Sequence, residues 1–234
     1  MARNSTTVNS SHILLVEGED DRGFFEQVCK SLQLNPDIKV APPKDYQADY
    51  EETLRNGKQG ALNLLEDLLT ELLDESAAIK RLALIIDADY DTEEAKGLGY
   101  QKTIKQICDR VAEYNFGLVS NQTRGLFFEH GDGVAKFGLW IMPNNEQDGM
   151  LEDFIKTCIK TNEQSLFTHA VQVVDDVPDK KFKSHHYSKA QVNTWLAWQK
   201  PPGHGLYYSV SDKLLNDEHA LFQDLTQWLK QIFI

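Results

Sequence analysis

Two hydrophobic runs of strand length each stop abruptly at carboxylates, and this repeated pattern constrains the fold more than anything else in the chain. The first run, Ile13-Leu14-Leu15-Val16, is followed by Glu17-Gly18-Glu19-Asp20-Asp21. The second, Leu82-Ala83-Leu84-Ile85-Ile86, is followed by Asp87-Ala88-Asp89-Tyr90-Asp91. In open α/β sheets, ligands bind at the carboxyl ends of the strands. Two buried strands that end side by side would bring Glu17, Asp87 and Asp89 into one small volume. Carboxylates crowded in this way repel one another unless a cation neutralises them or some take up protons. Hard oxygen ligands of this kind suit Mg²⁺, Mn²⁺ or Ca²⁺.

Along the chain, apolar runs alternate with segments of helical period, which predicts an α/β fold with a parallel or mixed sheet. Strands are expected at His12–Val16, 38–41 and 81–86. A hairpin is expected between 125–130 and 137–143, turning at Gly131-Asp132-Gly133. Helices are expected over 22–34, 61–74, 99–114 and 149–159. The polar stretch 42–60 reads as a long loop of the kind that often serves function. Beyond about residue 160 the pattern becomes helical, over 162–174, 189–198 and 217–233. This divides the chain into a polar tail (1–11), an α/β core (12–160) and a helical C-terminal extension packed on that core (161–234).

The spacing within each acidic cluster has a mechanical meaning. Gly18 permits a sharp turn from strand to helix. Glu17 then faces the site from the strand end, and Asp21 faces it from the first helical turn, where the helix dipole favours negative charge. The same residues also read as a plain turn with helix caps. Asp87-x-Asp89-x-Asp91 places alternate side chains on one side of an extended segment. It is not an EF-hand loop, because Ala88 and Tyr90 intervene and no glycine follows at the sixth position. Its bland reading is a solvated acidic turn.

Taken together, E-G-x-x-D after a first strand and D-x-D after a central strand resemble the Toprim domain. That superfamily includes topoisomerases, primases, ribosomal-RNA maturases and nucleases of the OLD type. The resemblance covers roughly residues 12–155 and implies a Rossmann-like, mostly parallel sheet between helices. It places the motif glutamate and glycine on Glu17 and Gly18, and the acidic pair on Asp87 and Asp89. Asp21 matches an additional aspartate of the OLD-like branch. In that branch a later glutamate and a late lysine complete a two-metal site; Glu152 matches the former, and Lys189 matches the latter more loosely. The whole chain also resembles a small stand-alone Toprim-like family of uncharacterised function. That match rests on Trp140-Ile141-Met142-Pro143 with Leu151-Glu152-Asp153, and on Ser188-Lys189 ahead of Trp195-Leu196-Ala197-Trp198.

The chief basic stretch is Asp179-Lys180-Lys181-Phe182-Lys183-Ser184-His185-His186-Tyr187-Ser188-Lys189. Its interleaved cations and aromatics suit phosphate contact and base stacking, making Lys180, Lys181, Lys183, His185 and His186 candidate nucleic-acid contacts. It reads equally as a solvated loop that offsets Asp175, Asp176 and Asp179. The net charge of −12 argues against a sequence-blind nucleic-acid binder, but not against a nuclease whose carboxylates hold metal. Cys29, Cys108 and Cys158 form no CxxC pair and read as core residues, as do all four tryptophans. No G-x-x-x-x-G-K-[ST] occurs, so nucleotide-driven regulation would need a separate ATPase partner. No apolar run approaches the roughly 20 residues of a membrane span, and a cytoplasmic location is expected.

The expectation is therefore a metal-dependent phosphoryl-transfer enzyme, foremost a nuclease. Mg²⁺ or Mn²⁺ would be bound by Glu17, Asp21, Asp87, Asp89 and Glu152, with Glu17 and Lys189 in catalytic roles. The alternatives are a non-catalytic metal- or nucleotide-binding module that regulates a partner protein, and a phosphatase acting on a small molecule. The oligomeric state is not legible.

Overall fold

The computed structural model describes residues 10–41, 57–95, 97–119 and 124–234. Most of the expected polar tail and most of the expected 42–60 loop lie outside those residues. The elements run β1 (His12–Val16), α1 (Glu19–Ser31), β2 (Asp37–Val40), α2 (Gly57–Leu73), β3 (Arg81–Asp87), α3 (Gly99–Ala112), β4 (Phe116–Val119), β5 (Leu126–His130) and β6 (Lys136–Met142). The helices α4 (Leu151–Cys158), α5 (Gln164–Asp176), α6 (Tyr187–Ala197), α7 (Tyr208–Ser211) and α8 (Ala220–Phe233) follow. The strand order is β2-β1-β3-β6-β5-β4. The first four strands are parallel, and β5 and β4 add an antiparallel meander. The fold is thus α/β with a mostly parallel sheet and C-terminal helices.

The central strands are apolar at consecutive positions because both faces of the sheet are covered. Leu14, Val16, Ala83, Ile85 and Trp140 face one core with residues of α1, α4, α6 and α8. Ile13, Leu15, Leu82, Leu84, Ile86 and Ile141 face a second core with residues of α2 and α3. Each aliphatic side chain removed from water in this way is worth roughly 2 kcal/mol. The last helix belongs to the first core, where Leu225, Trp228 and Leu229 are fully buried. Gly138 on β6 makes that approach possible, since a Cβ there would sit 2.1 Å from Ile232 Cδ1. Arg81 at the start of β3 donates to the Ile232 carbonyl at 2.7 Å, and Trp228 Nε1 donates to the Leu126 carbonyl at 3.3 Å.

Several boundaries differ from the sequence reading. Helix α1 begins at Glu19 rather than 22, with Glu19, Asp20 and Asp21 all in its first turn, where the dipole favours them. It ends early because Gln33 takes a left-handed conformation at φ 58°. Helix α2 begins at Gly57, four residues inside the expected loop. The edge strand β4 was not anticipated: it has only four residues, three of them exposed, and glycine interrupts its apolar pattern. Trp140, Trp195 and Trp228 are fully buried, whereas Trp198 is 39% exposed and packs beside His169. Cys29 and Cys158 are buried, while Cys108 is only partly so. Among the described residues, no helix is long and apolar enough to cross a membrane.

Candidate functional site

From β1 the chain crosses outward to β2 and then returns past β1 to form β3. The gap between the carboxyl ends of β1 and β3 is therefore where the winding direction reverses, the usual ligand crevice of such sheets. Glu17 follows β1 directly, and Asp87 is the last residue of β3. Helix α1 opens beside them with Gly18 at its N-cap, so Asp21 occupies its first turn. Helix α4 starts here too and carries Glu152 in its first turn. Four elements thus direct their strand ends or helix starts at one place.

Each carboxylate in this cluster engages a donor or cation of the protein itself. Glu17 Oε2 accepts the Asp87 amide at 3.3 Å. Asp87 Oδ1 accepts the Leu151 amide at 3.0 Å and so caps the N-terminus of α4. Asp89 Oδ2 lies 2.9 Å from Lys58 Nζ, and Glu152 Oε1 lies 3.7 Å from Lys189 Nζ. Among the described residues, no three His, Cys, Asp or Glu side chains stand in a ready-made metal cage. The donor set is nonetheless all oxygen and strongly anionic, which suits a hard divalent ion.

The electrostatics show that the carboxylates share one volume. Glu17 is pushed up from 4.5 to about 7 by burial, then by Asp89 and Asp21, against the pull of Lys58. Asp21 is pushed up to about 6 by burial and by Glu152. Asp87 is held well above the usual carboxylate range by burial, with Glu17, Asp21, Glu152 and Asp89 all adding to the rise. Burial also raises Glu152, with Lys189 opposing it. For Lys189, burial lowers the ammonium's affinity for its proton, but Glu152, Asp87, Asp20 and Asp21 together outweigh it and raise the pKa. Perturbed titrations of this kind concentrate at functional sites.

Lys58 was not anticipated. It lies in the first turn of α2 and bridges Asp89 Oδ2 to the Ala88 carbonyl, at 2.9 and 3.1 Å. A lysine in the first turn of a helix opposes the dipole, but with the helix expected from residue 61 the sequence placed Lys58 in a loop and gave no such signal. Gly57 allows α2 to start this close, since a Cβ there would meet Glu17 Cγ at 3.0 Å.

The expectation that Asp87, Asp89 and Asp91 present a common face fails at the third residue. Asp89 adopts φ 61° and bridges to Gly149, so the segment is not extended there. Asp91 turns instead to Lys102, 2.7 Å away. A separate network binds the chain neighbours of the site residues. Asp153 accepts from Tyr90 Oη at 2.5 Å on Oδ2, from Ser188 Oγ at 2.5 Å on Oδ1, and from the Met150 amide at 3.0 Å. Tyr90, Asp153 and Ser188 directly adjoin Asp89, Glu152 and Lys189, so one carboxylate ties three site-bearing segments together.

The basic stretch is mostly engaged locally. Lys180 donates to the carbonyls of Asp175 and Val177 and lies over the Tyr187 ring, and Lys181 pairs with Asp179. Ser184 bonds Glu94, whose carboxyl is lowered by that contact, with His185 and Lys183 contributing. His186 is exposed, and its pKa is lowered by its partial burial and by His185, Lys189 and Lys183. Of this stretch, Lys189 reaches the carboxylate cluster.

Comparison with curated proteins and with solved structures finds no match to this chain. A family described only as a protein of unknown function, DUF3226, matches residues 11–234, and the chain belongs to that family.

Proposed function

We propose that the chain is a divalent-metal-dependent phosphodiesterase, a nuclease that hydrolyses DNA or RNA. In this reading Mg²⁺ or Mn²⁺ is held by Glu17, Asp87 and Asp89, with Asp21 and Glu152 assisting. The observation that carries the reading is the crowded, partly buried group of carboxylates at the switch point between β1 and β3, whose pKa values are raised first by desolvation and then by one another. The resemblance of Glu17-Gly18-x-x-Asp21 and Asp87-x-Asp89 to Toprim motifs supports the same chemistry. When bound, the ion supplies Lewis acidity and a water acidic enough to ionise near neutral pH. Asp87 gives one oxygen to the Leu151 amide, which fixes the carboxylate so that it would help to hold the ion. Glu17 is held by the Asp87 amide and serves as a ligand or as a proton acceptor. Lys189, its side chain half exposed beside Glu152, meets the charge on the phosphate in the transition state. We place the activity in the cytoplasm.

The test is a cleavage panel on single-stranded, duplex and nicked DNA and on RNA, with Mg²⁺ and with Mn²⁺. Wild type should cut at least one substrate, Glu17→Gln should cut none, and Lys189→Ala should cut slowly while still binding the ion. Cleavage by Glu17→Gln at the wild-type rate would refute the assignment. One observation favours a second reading, a non-catalytic module that regulates a partner such as a separate ATPase. The net charge is −12, and Lys180 and Lys181 are tied to local oxygens rather than presented to a phosphate backbone. Ion binding with no cleavage of any nucleic acid would favour that reading.

A further inference from the structure

Lys58 does something that a surface lysine does not. Its side chain is 16% exposed, and its ammonium is fixed between Asp89 Oδ2 at 2.9 Å and the Ala88 carbonyl at 3.1 Å. It is close enough to Glu17 to pull against the burial and repulsion that raise that carboxyl. An ammonium held at such a depth has lost much of its hydration and needs compensating partners. The Ala88 carbonyl also accepts Thr103 Oγ1 at 3.3 Å, so the backbone beneath Lys58 is itself fixed. Among the described residues, the other lysine at the cluster, Lys189, is 51% exposed and sits against Glu152. The two lysines thus divide the cluster: Lys189 stands at the α4 and α6 side, and Lys58 stands at Asp89, an oxygen donor that the proposed function assigns to the ion.

An ammonium and a divalent cation cannot both hold the same carboxylate oxygen at contact without strong repulsion. We propose that Lys58 is the resident counter-ion of this site, exchanged for the divalent ion when that ion binds Asp89. This inference rests on the metal-dependent reading and adds the exchange to it. It accounts for the absence of a ready-made cage among the described carboxylates. Asp89 is engaged by Lys58 while staying close enough to Glu17 and Asp87 to raise both carboxyls. The exchange makes ion affinity a difference between two cations competing for one carboxylate.

Mn²⁺ binding measured by calorimetry at pH 7.5 tests this directly, with Lys58→Met as the variant. Lys102→Met, which removes an equal charge at Asp91, is the control. Lys58→Met should bind Mn²⁺ about tenfold tighter than wild type, which is about 1.4 kcal/mol, while Lys102→Met should stay within about twofold. Equal or weaker binding by Lys58→Met overturns the exchange and leaves the metal-dependent reading intact. Absence of Mn²⁺ binding in both wild type and Lys58→Met refutes the metal-dependent reading itself. A second measurement needs no variant and covers a Lys58→Met that fails to fold. Amine acetylation of wild type, followed by peptide mass spectrometry, should modify Lys58 several-fold faster relative to Lys102 when Mn²⁺ is saturating. An unchanged or slower rate at Lys58 overturns the exchange.

Discussion

Stability without divalent ions should fall as pH rises through the range where most proteins are steady. Glu17 ionises near 4.5 in an unfolded chain but at about 7 in the fold, and Asp21 ionises near 3.8 and at about 6 respectively. Between those values the folded state holds protons that the unfolded state has released. The slope of unfolding free energy with pH is then negative, about −1.4 kcal/mol per unit for each group. The contribution is fully present below the unfolded pKa and is lost as pH passes the folded one. Glu17 alone removes about 3 kcal/mol between pH 4.5 and 7, and Asp21 removes about 3 kcal/mol between pH 3.8 and 6. Their mutual repulsion counts once, so the pair together is worth between about 3 and 6 kcal/mol. Asp74, Glu94 and Asp132 have lowered pKa values, so their opposite effect falls below about pH 4.5, under the range assayed, while the lowered pKa of the exposed His186 opposes the decline weakly below about pH 6.5. Urea denaturation at pH 5, 6, 7 and 8 in chelator should show the decline, and Glu17→Gln should flatten it. Saturating Mn²⁺ should restore stability at pH 8 and do little at pH 5, because it binds the ionised carboxylates of the folded state. A wild-type profile that is flat or rising from pH 5 to 7, or the same slope in Glu17→Gln, would show that these carboxyls are not the crowded, buried groups described.

Asp87→Asn keeps an oxygen to accept the Leu151 amide but removes a buried charge among four other carboxylates. It should raise the melting temperature of the ion-free protein by a few degrees at pH 8 and abolish stabilisation by Mn²⁺, both read by scanning calorimetry. Ser188→Ala removes a hydrogen bond to Asp153 and should cost about 1–2 kcal/mol in stability. If that bond also positions Lys189, Ser188→Ala should slow the proposed cleavage in wild type but not further slow it in Lys189→Ala.

The parts of this molecule that could be read from sequence are those fixed by local chemistry. Continuous apolar runs ending in acid located β1 and β3, because a strand covered on both faces needs apolar residues at every position. Leu62, Leu65, Leu68 and Leu69 located α2 by their helical spacing, although its first turn was missed. What escaped depends on distant partners. Strand β4 has one buried residue in four and owes its place to pairing with β5. Trp198 and Trp195 share one apolar sequence segment, yet the end of α6 buries only Trp195. The site divides in the same way. Glu17, Asp21, Asp87 and Asp89 announce themselves as acids after apolar runs or in a first helical turn, whereas Glu152 was indicated only by the Toprim resemblance. Lys58 sits 30 residues before its carbonyl partner and, within a stretch that reads as a loop, carries no local mark. Whether Asp91 joined Asp87 and Asp89 on one side was left open, because a left-handed turn at Asp89 cannot be read from an Asp-x-Asp-x-Asp spacing.

Charge accounting links the site to the behaviour of the whole chain. Glu17, Asp21, Asp87, Asp89 and Glu152 carry five negative charges when all are ionised, and Lys58 and Lys189 return two, leaving three in one partly desolvated volume. Those three belong to the formal −12 of the sequence. That figure therefore overstates the negative charge spread over the surface at neutral pH, where Glu17, pushed up to about 7, still holds part of its proton. To that extent the chain repels a phosphate backbone less than its formal charge implies. Two divalent ions would more than cancel the cluster and turn its field from repelling phosphate to attracting it. Binding of a short oligonucleotide to this chain should therefore depend on the divalent ion first and on the Lys180–Lys189 stretch second. A basic surface working alone would show the reverse order, with monovalent salt governing affinity and the ion having no effect.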